Sequence, residues 1–397
     1  MLTIEQPGDY RVSLLHLGFR PFFLLAGLFA VISTLMWTWV YHGGAAAPQL
    51  PLHSILWHGH EMVYGYTLAV VAGFLLTAVR NWTGVQTLNG VGLLLLALCW
   101  LAARVLALVP HPGALPAMAA LDMAFAVALT AAVAHPIIKA RQWGQLGILA
   151  VPVLLALAHA LFYAGVLGWM AQGAQAGLYL GLYLLIFLVF VMGRRVVPFF
   201  ITKGVDGPVS IPDRPWLDQA VLISLGAFVV AEVFLAQPAL SAVLALAAFV
   251  FQAIRLRDWH APGIWRKPLL WSLYLAFVWI AFGFALKALA PVVALNPFLA
   301  THAMAYGGIG LITLGMMCRV SLGHTGRNVF DPPATVTWML ALLVAGTVVR
   351  VILPMLLPAQ HVLWIGLSQA IWIAAFSLFL WTYAAMLVKP RIDGRYG

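Results

Sequence analysis

The chain has 397 residues, of which 64% are hydrophobic and 8% charged, and its mean hydropathy is +1.00. No soluble core needs that much apolar sequence, and runs of about 20 apolar residues recur throughout, so the reading is an all-α polytopic membrane protein rather than a soluble enzyme. The net charge of +10 raises nucleic acid as a partner, but the placement of the cations excludes it, and the two cysteines fall in different spans and make no disulfide framework.

In chain order, twelve spans are predicted near 21–41, 55–79, 89–108, 115–135, 146–168, 175–198, 216–236, 239–255, 268–290, 298–321, 334–356 and 361–388. They form a single integral membrane domain. The first run is full span length and follows a polar segment, so no cleavable signal is read there. Pro48 to Pro51, His111-Pro112-Gly113, Gly204 to Pro215, Ala261-Pro262-Gly263 and Asp331-Pro332-Pro333 mark joints between spans. Of the 21 lysines and arginines, 18 lie at even-numbered loops, at both termini or at span ends facing them, from Arg11 and Arg20 to Lys389, Arg391 and Arg395. Arg104, Lys287 and Arg350 lie on the other side. The positive-inside rule then puts both termini in the cytoplasm, and the basic excess is a topology signal.

The second span opens on Trp57-His58-Gly59-His60-Glu61-Met62-Val63-Tyr64-Gly65. Two histidines, a carboxylate and a tyrosine are expensive to bury in hydrocarbon, so a plain membrane span would not carry them. His60 and Tyr64, four apart, share one helix face, whereas His58 points to the opposite face. The stretch has an echo at an offset of 242. His302-Ala303-Met304-Ala305-Tyr306-Gly307 repeats H-x-M-x-Y-G, and the ungapped match runs to Thr83-Gly84 and Thr325-Gly326 with seven identities in 25 positions. Spans 2 and 10 are eight apart, which fits three four-helix repeats in a pseudo-threefold arrangement with span 6 as the middle copy.

His60 and His302, at the same depth toward the outer side, read as paired ligands of one cofactor, and neutral imidazole is the natural axial donor to haem iron. The bland alternative is a histidine bonded to backbone. His58 either ligates a second haem or copper or sits at the interface beside Trp57; His53 is read as solvated. Arg104 and Arg350, near the outer ends of corresponding spans, suit an anion such as a haem propionate. Glu61 either relays protons or orients a ligating imidazole. Tyr64 and Tyr306 line the cofactor or pack as plain aromatics. His324 stands where the other copy has Trp82, which leaves it free for a cytoplasmic-side metal. Cys318, Met192, Met316 and Met317 are soft donors in principle and filler by habit. Asp122, His159 and Glu232 are intramembrane polar groups that need partners. With no C-x-x-C-H, any haem is non-covalent haem b, one or two in number, with copper as a further possibility.

Gly18-Phe19-Arg20-Pro21-Phe22-Phe23 resembles the NnrS family. So do Trp57-His58-x-His60-Glu61-Met62, Gly73-Phe74-Leu75-Leu76-Thr77-Ala78-Val79 with Asn81-Trp82-Thr83-Gly84, and Arg319 to Arg327. The likeness covers nearly the whole chain. It implies a twelve-span bacterial inner-membrane protein holding haem and copper, associated with nitric oxide metabolism, denitrification and protection from nitrosative stress. Nitric oxide is then the expected ligand or substrate, a nitric oxide reductase or other haem oxidoreductase the expected enzyme class, and quinol or an electron-transfer protein the expected donor. In span 5 the chain departs from the family pattern, with His159-Ala160-Leu161-Phe162-Tyr163 where the resemblance implies a histidine nearer 163, so no third ligand is expected from that span. A more distant architectural likeness is to the haem–copper oxidase core subunit, which supports haem; without histidine in spans 6 and 7 it does not support oxygen reduction. The competing reading is a membrane transporter of a metal or small metabolite using paired intramembrane histidines.

Overall fold

Each predicted span becomes a helix in the computed structural model, which describes residues 12–397; Arg11, counted among the cations above, lies outside the described residues. The helices are α1 Phe19–His42, α2 Ser54–Thr83, α3 Gly90–Leu106, α4 Ala114–Lys139, α5 Leu146–Val166 and α6 Gly173–Gly204. They continue with α7 Pro215–Leu235, α8 Pro238–Trp259, α9 Pro268–Leu289, α10 Pro297–His324, α11 Ala334–Leu356 and α12 His361–Val388. Eleven are long and apolar enough to cross a membrane, and α3, at 17 residues, is the short one. No strand occurs among the described residues.

Local chemistry sets the ends. Proline at the first turn opens α7, α8, α9 and α10, where its missing N–H costs nothing. Asn296 caps α10 by accepting from Phe298 N at 2.9 Å. The repeated Thr-Gly pair ends α2 and α10 with Gly84 at φ 73° and Gly326 at φ 80°, left-handed backbone that glycine adopts at no steric cost. Lipid is the natural solvent for the outer faces: Leu28, Ile32, Leu35 and Trp39 are exposed along one stripe of α1, and Val243, Leu246 and Val250 along one of α8.

The chain divides into two compact units. The first holds the chain to Leu184, Arg319–Val329 and Phe376–Gly397; the second holds Leu185–Cys318 and Phe330–Ala375. In the first unit, Phe19 N donates to Thr77 Oγ1 at 3.0 Å. Arg20, fully buried, donates to the carbonyls of Leu387 and Lys389 at 2.8 Å each. The Gly18–Phe23 motif therefore ties α1 to α2 and α12. The two spans that carry the repeat are the most enclosed, with 78% and 83% of their central stretches buried against 33–61% for the other long spans. Both change winding at the same place. Directly after the motif histidine, Glu61–Thr67 in α2 and Ala303–Gly310 in α10 are π-helical, a distortion that often accompanies functional sites.

Candidate metal centre

The first unit buries a cluster of ionisable groups from four helices. At the start of the π-helical turn of α2, His60 and Glu61 are both 0% exposed, and His60 Nδ1 lies 2.8 Å from Glu61 Oε1. On α5, His159 and Tyr163 are four residues apart and share a face. His159 Nε2 stands 2.8 Å from His60 Nε2, and the Tyr163 hydroxyl 3.2 Å from the same nitrogen. Asp122 of α4 closes the group, its Oδ2 3.6 Å from His60 Nε2 and 3.7 Å from His159 Nε2, and it accepts from Tyr163 at 2.5 Å. Arg104 of α3 spans the back, donating to Glu61 Oε2 at 2.9 Å and to both Asp122 oxygens at 2.5 Å.

Close approach of α6 makes this packing possible. Tyr64 stacks on His159 with ring centroids 3.8 Å apart and 2° between planes, and its hydroxyl donates to Gly177 O at 2.6 Å. A Cβ on Gly177 would overlap the Phe162 backbone, and one on Gly181 the Tyr64 hydroxyl. Gly173, Gly177 and Gly181 thus form the small-residue seam by which membrane helices approach closely.

Two carboxylates, Glu61 and Asp122, face one guanidinium, Arg104; with both carboxylates ionised and the imidazoles neutral, the buried cluster would keep one negative charge in surplus. A surplus charge away from water is costly unless a cation joins it. His60, Asp122 and His159 form, among the described residues, the group whose three donor atoms converge closely enough to hold one metal ion. Metal–nitrogen and metal–oxygen bonds of about 2.1 Å in a tetrahedral site put donors about 3.4 Å apart, and the three observed separations of 2.8, 3.6 and 3.7 Å bracket that figure. Glu61 on Nδ1 leaves Nε2 of His60 facing the other donors, the carboxylate–histidine–metal arrangement of orienting partners. His159 Nδ1, by contrast, is buried without a hydrogen bond among the described residues. A haem does not fit at this point, because Asp122, Tyr163 and His159 already crowd His60 Nε2.

In the second unit, His302 Nδ1 donates to Phe298 O at 2.7 Å and Arg350 Nη2 donates to His302 Nε2 at 3.0 Å. The Tyr306 hydroxyl donates to Ser368 O at 2.9 Å. Ala303 occupies the repeat position of Glu61, and with no carboxylate there the arginine takes the imidazole. A backbone bond on Nδ1 fixes the tautomer that ligates through Nε2, and Arg350 offers a fork for a carboxylate. His302 Nε2, the nitrogen left for a ligand, is held by Arg350 in this structure.

His60, Glu61, Tyr64 and Arg104 come together with Asp122, His159 and Tyr163, while His302, Arg350 and Tyr306 form their own group. His58 stacks on Trp37 at 4.5 Å, 6° between planes. His53 is exposed. His324 lies near Asn81, Nε2 to Nδ2 3.5 Å, on the first unit. Cys318 donates to Met339 Sδ at 3.5 Å. Glu232 pairs with Lys287 at 2.5 Å. Arg104 is committed to carboxylates of the chain itself. Sequence reasoning did not single out Tyr163, and it set span 5 aside; the usable signal was the i, i+4 pair of His159 and Tyr163 within an apolar run.

A family model described as NnrS protein matches residues 13–391. No curated protein matches the chain.

Proposed function

The chain belongs to the NnrS family, and on that premise we propose that it is a redox metalloprotein of nitric oxide metabolism with two sites. The first is a metal centre held by His60, His159 and Asp122, oriented by Glu61 and Arg104. The second is a haem b site at His302, where Arg350 would turn from His302 Nε2 to a haem carboxylate. What carries the reading is the convergence of His60 Nε2, His159 Nε2 and Asp122 Oδ2, backed by Glu61 on His60 Nδ1.

Two imidazoles and one carboxylate suit a first-row transition metal, and copper is the one that the family resemblance implies. Haem iron, when bound, supplies an open coordination position for nitric oxide. The chain's own residues do the rest. Glu61 accepts from His60 Nδ1 and keeps Nε2 available. Arg104 holds both carboxylates in place. The Tyr163 hydroxyl, bonded to Asp122 at 2.5 Å and 3.2 Å from His60 Nε2, holds a proton beside the metal position, where reduction of nitric oxide would consume it. Tyr64 and Phe162, 1% and 0% exposed, keep water out.

Metal analysis and visible spectra of detergent-purified protein test this. Wild type is expected to carry one transition metal ion and a haem b spectrum that shifts on adding nitric oxide to the reduced form. His60→Ala and His159→Ala should lose the ion and keep the haem; His302→Ala should do the reverse. A colourless, metal-free wild type would return the chain to the transporter reading.

A further inference from the structure

The second unit holds another charged cluster, and it encloses a cleft. Arg194 of α6, Asp213 and Arg214 of the connection that follows, Asp218 of α7, and Arg255 and Asp258 of α8 line about 290 Å³. Arg255 is the buried one, 2% exposed, with its guanidinium 4.8 Å from the ring centres of Phe190 and Trp259 and 5.6 Å from that of Phe277. Three aromatic faces are an unusual amount of support for one cation.

Its hydrogen bonds are incomplete. Nη2 donates to Gln252 Oε1 at 2.5 Å. Nε and Nη1 are buried and make no hydrogen bond among the described residues. The carboxylate that pairs with Nη1 is Asp218 Oδ1, 3.6 Å away, which is an ion pair beyond hydrogen-bond reach. Nε of Arg194, which with Arg255 lines the cleft, is also buried without an acceptor among the described residues. Buried donors are normally satisfied, so a concentration of them at one cleft calls for a ligand.

Charge says what kind. Three guanidinium groups and three carboxylates line the cleft, and Arg214 already pairs with Asp258 at 2.8 Å. The formal charges cancel while the donors do not. An anion would satisfy the donors and upset the balance, whereas a neutral molecule with carbonyl oxygens satisfies them and leaves it intact. The remaining walls, including Leu217, Ile211 and Trp259, are apolar and suit a flat ring. The volume lies just below the usual range of ligand sites, about 300–1,000 Å³, which limits the occupant to a headgroup. In a protein surrounded by lipid, the neutral, ring-shaped dicarbonyl at hand is a quinone. We propose that this cleft binds the headgroup of a membrane quinone, with Arg255 and Arg194 donating to its carbonyl oxygens.

The test is equilibrium titration of the detergent-purified full chain with a short-tailed ubiquinone analogue, against wild type, Arg255→Lys and Arg194→Gln. Lysine keeps the charge among the three rings and loses the planar fork. Saturable one-to-one binding is expected for wild type, weakened about tenfold or more in each variant by the loss of bonds to a charged donor. Wild type that does not saturate, or affinities equal across the three proteins, would overturn the proposal. So would displacement of the quinone by inorganic phosphate or benzoate at similar concentration, which marks an anion site. Should Arg255→Lys not fold, Arg194→Gln, half-buried at the rim, decides alone. Metal content at His60 and His159, measured on the same samples, keeps the outcome separate from the fate of the metal-centre reading.

Discussion

At the scale of residues, the first unit's centre is a balance between three charges, and each can be changed alone. Glu61 serves His60 and Arg104 at once. Glu61→Gln keeps the shape and drops the charge, so metal affinity should fall about 10- to 100-fold, the usual cost of losing a partner behind a ligand. Competition with a coloured chelator measures it. Arg104→Leu acts on the fold instead. It leaves Glu61 and Asp122 buried without their cation, a loss of about 3–5 kcal/mol visible as a lower melting temperature. Added metal should raise that temperature more in Arg104→Leu than in wild type, because the ion then supplies the missing positive charge; an equal rise in both would refute the charge argument. Part of this site was legible in the sequence. His60 and Glu61 stood out as costly residues in a span, and Asp122 and His159 as polar groups that needed partners. Their meeting was not legible, since His159 lies 99 residues from His60 and only the packing of α4 and α5 against α2 decides which polar groups share a cavity. His159 and Tyr163, an i, i+4 pair on α5, both reach His60.

At the scale of elements, the repeat explains more than its histidines. The motif glycines, Gly65 and Gly307, stand in the π-helical turns, where side chains of neighbouring helices press close. A Cβ on Gly65 would meet Phe29 Cε1 at 2.7 Å and Arg104 Nη1 at 2.9 Å; one on Gly307 would meet Thr347 Cγ2 at 2.6 Å and Trp279 Cγ at 2.7 Å. The motif tyrosines are also alike, each donating to a carbonyl of another helix. Gly65→Ala should therefore push Arg104 away from Glu61, lowering both metal affinity and melting temperature. Gly226→Ala in α7, where an added Cβ meets nothing within 4 Å, should be neutral or mildly stabilising through helix propensity. Differential scanning calorimetry of the two variants makes the comparison, and similar melting temperatures would remove the close-approach argument. Apolar run length and the proline and glycine joints made the twelve helices readable before any coordinates, and α9 and α11 fall within a residue of their expected bounds. The π-helical turns were unreadable, because one extra residue in a helical turn leaves the hydrophobic pattern almost unchanged.

At the scale of the whole molecule, the distribution of cations and the three exceptions to it tell one story. Twelve crossings would bring the chain back to the side on which it began, the side to which the sequence assigns 18 of the 21 lysines and arginines. Each cation on the other side has a specific partner: Arg104 has Glu61 and Asp122, Lys287 has Glu232, and Arg350 has His302. Cations that are bound inside a unit carry no orienting weight, so the exceptions strengthen the rule. Orientation then has a consequence for chemistry. His60 and His302 stand near the starts of α2 and α10, which the rule places toward the outside, so metal and nitric oxide would meet their sites from that face. The prediction can be checked with single cysteines in a chain whose Cys99 and Cys318, both within helices, are replaced by alanine. Val292, between α9 and α10, is 78% exposed, and the Asp206 side chain, between α6 and α7, is 82% exposed. A membrane-impermeant maleimide on intact spheroplasts should label Val292→Cys and spare Asp206→Cys, and inverted vesicles should reverse the pattern. Labelling of Asp206→Cys in intact spheroplasts would turn the molecule over, put both histidine sites toward the cytoplasm, and require their metal and gas to arrive from inside the cell.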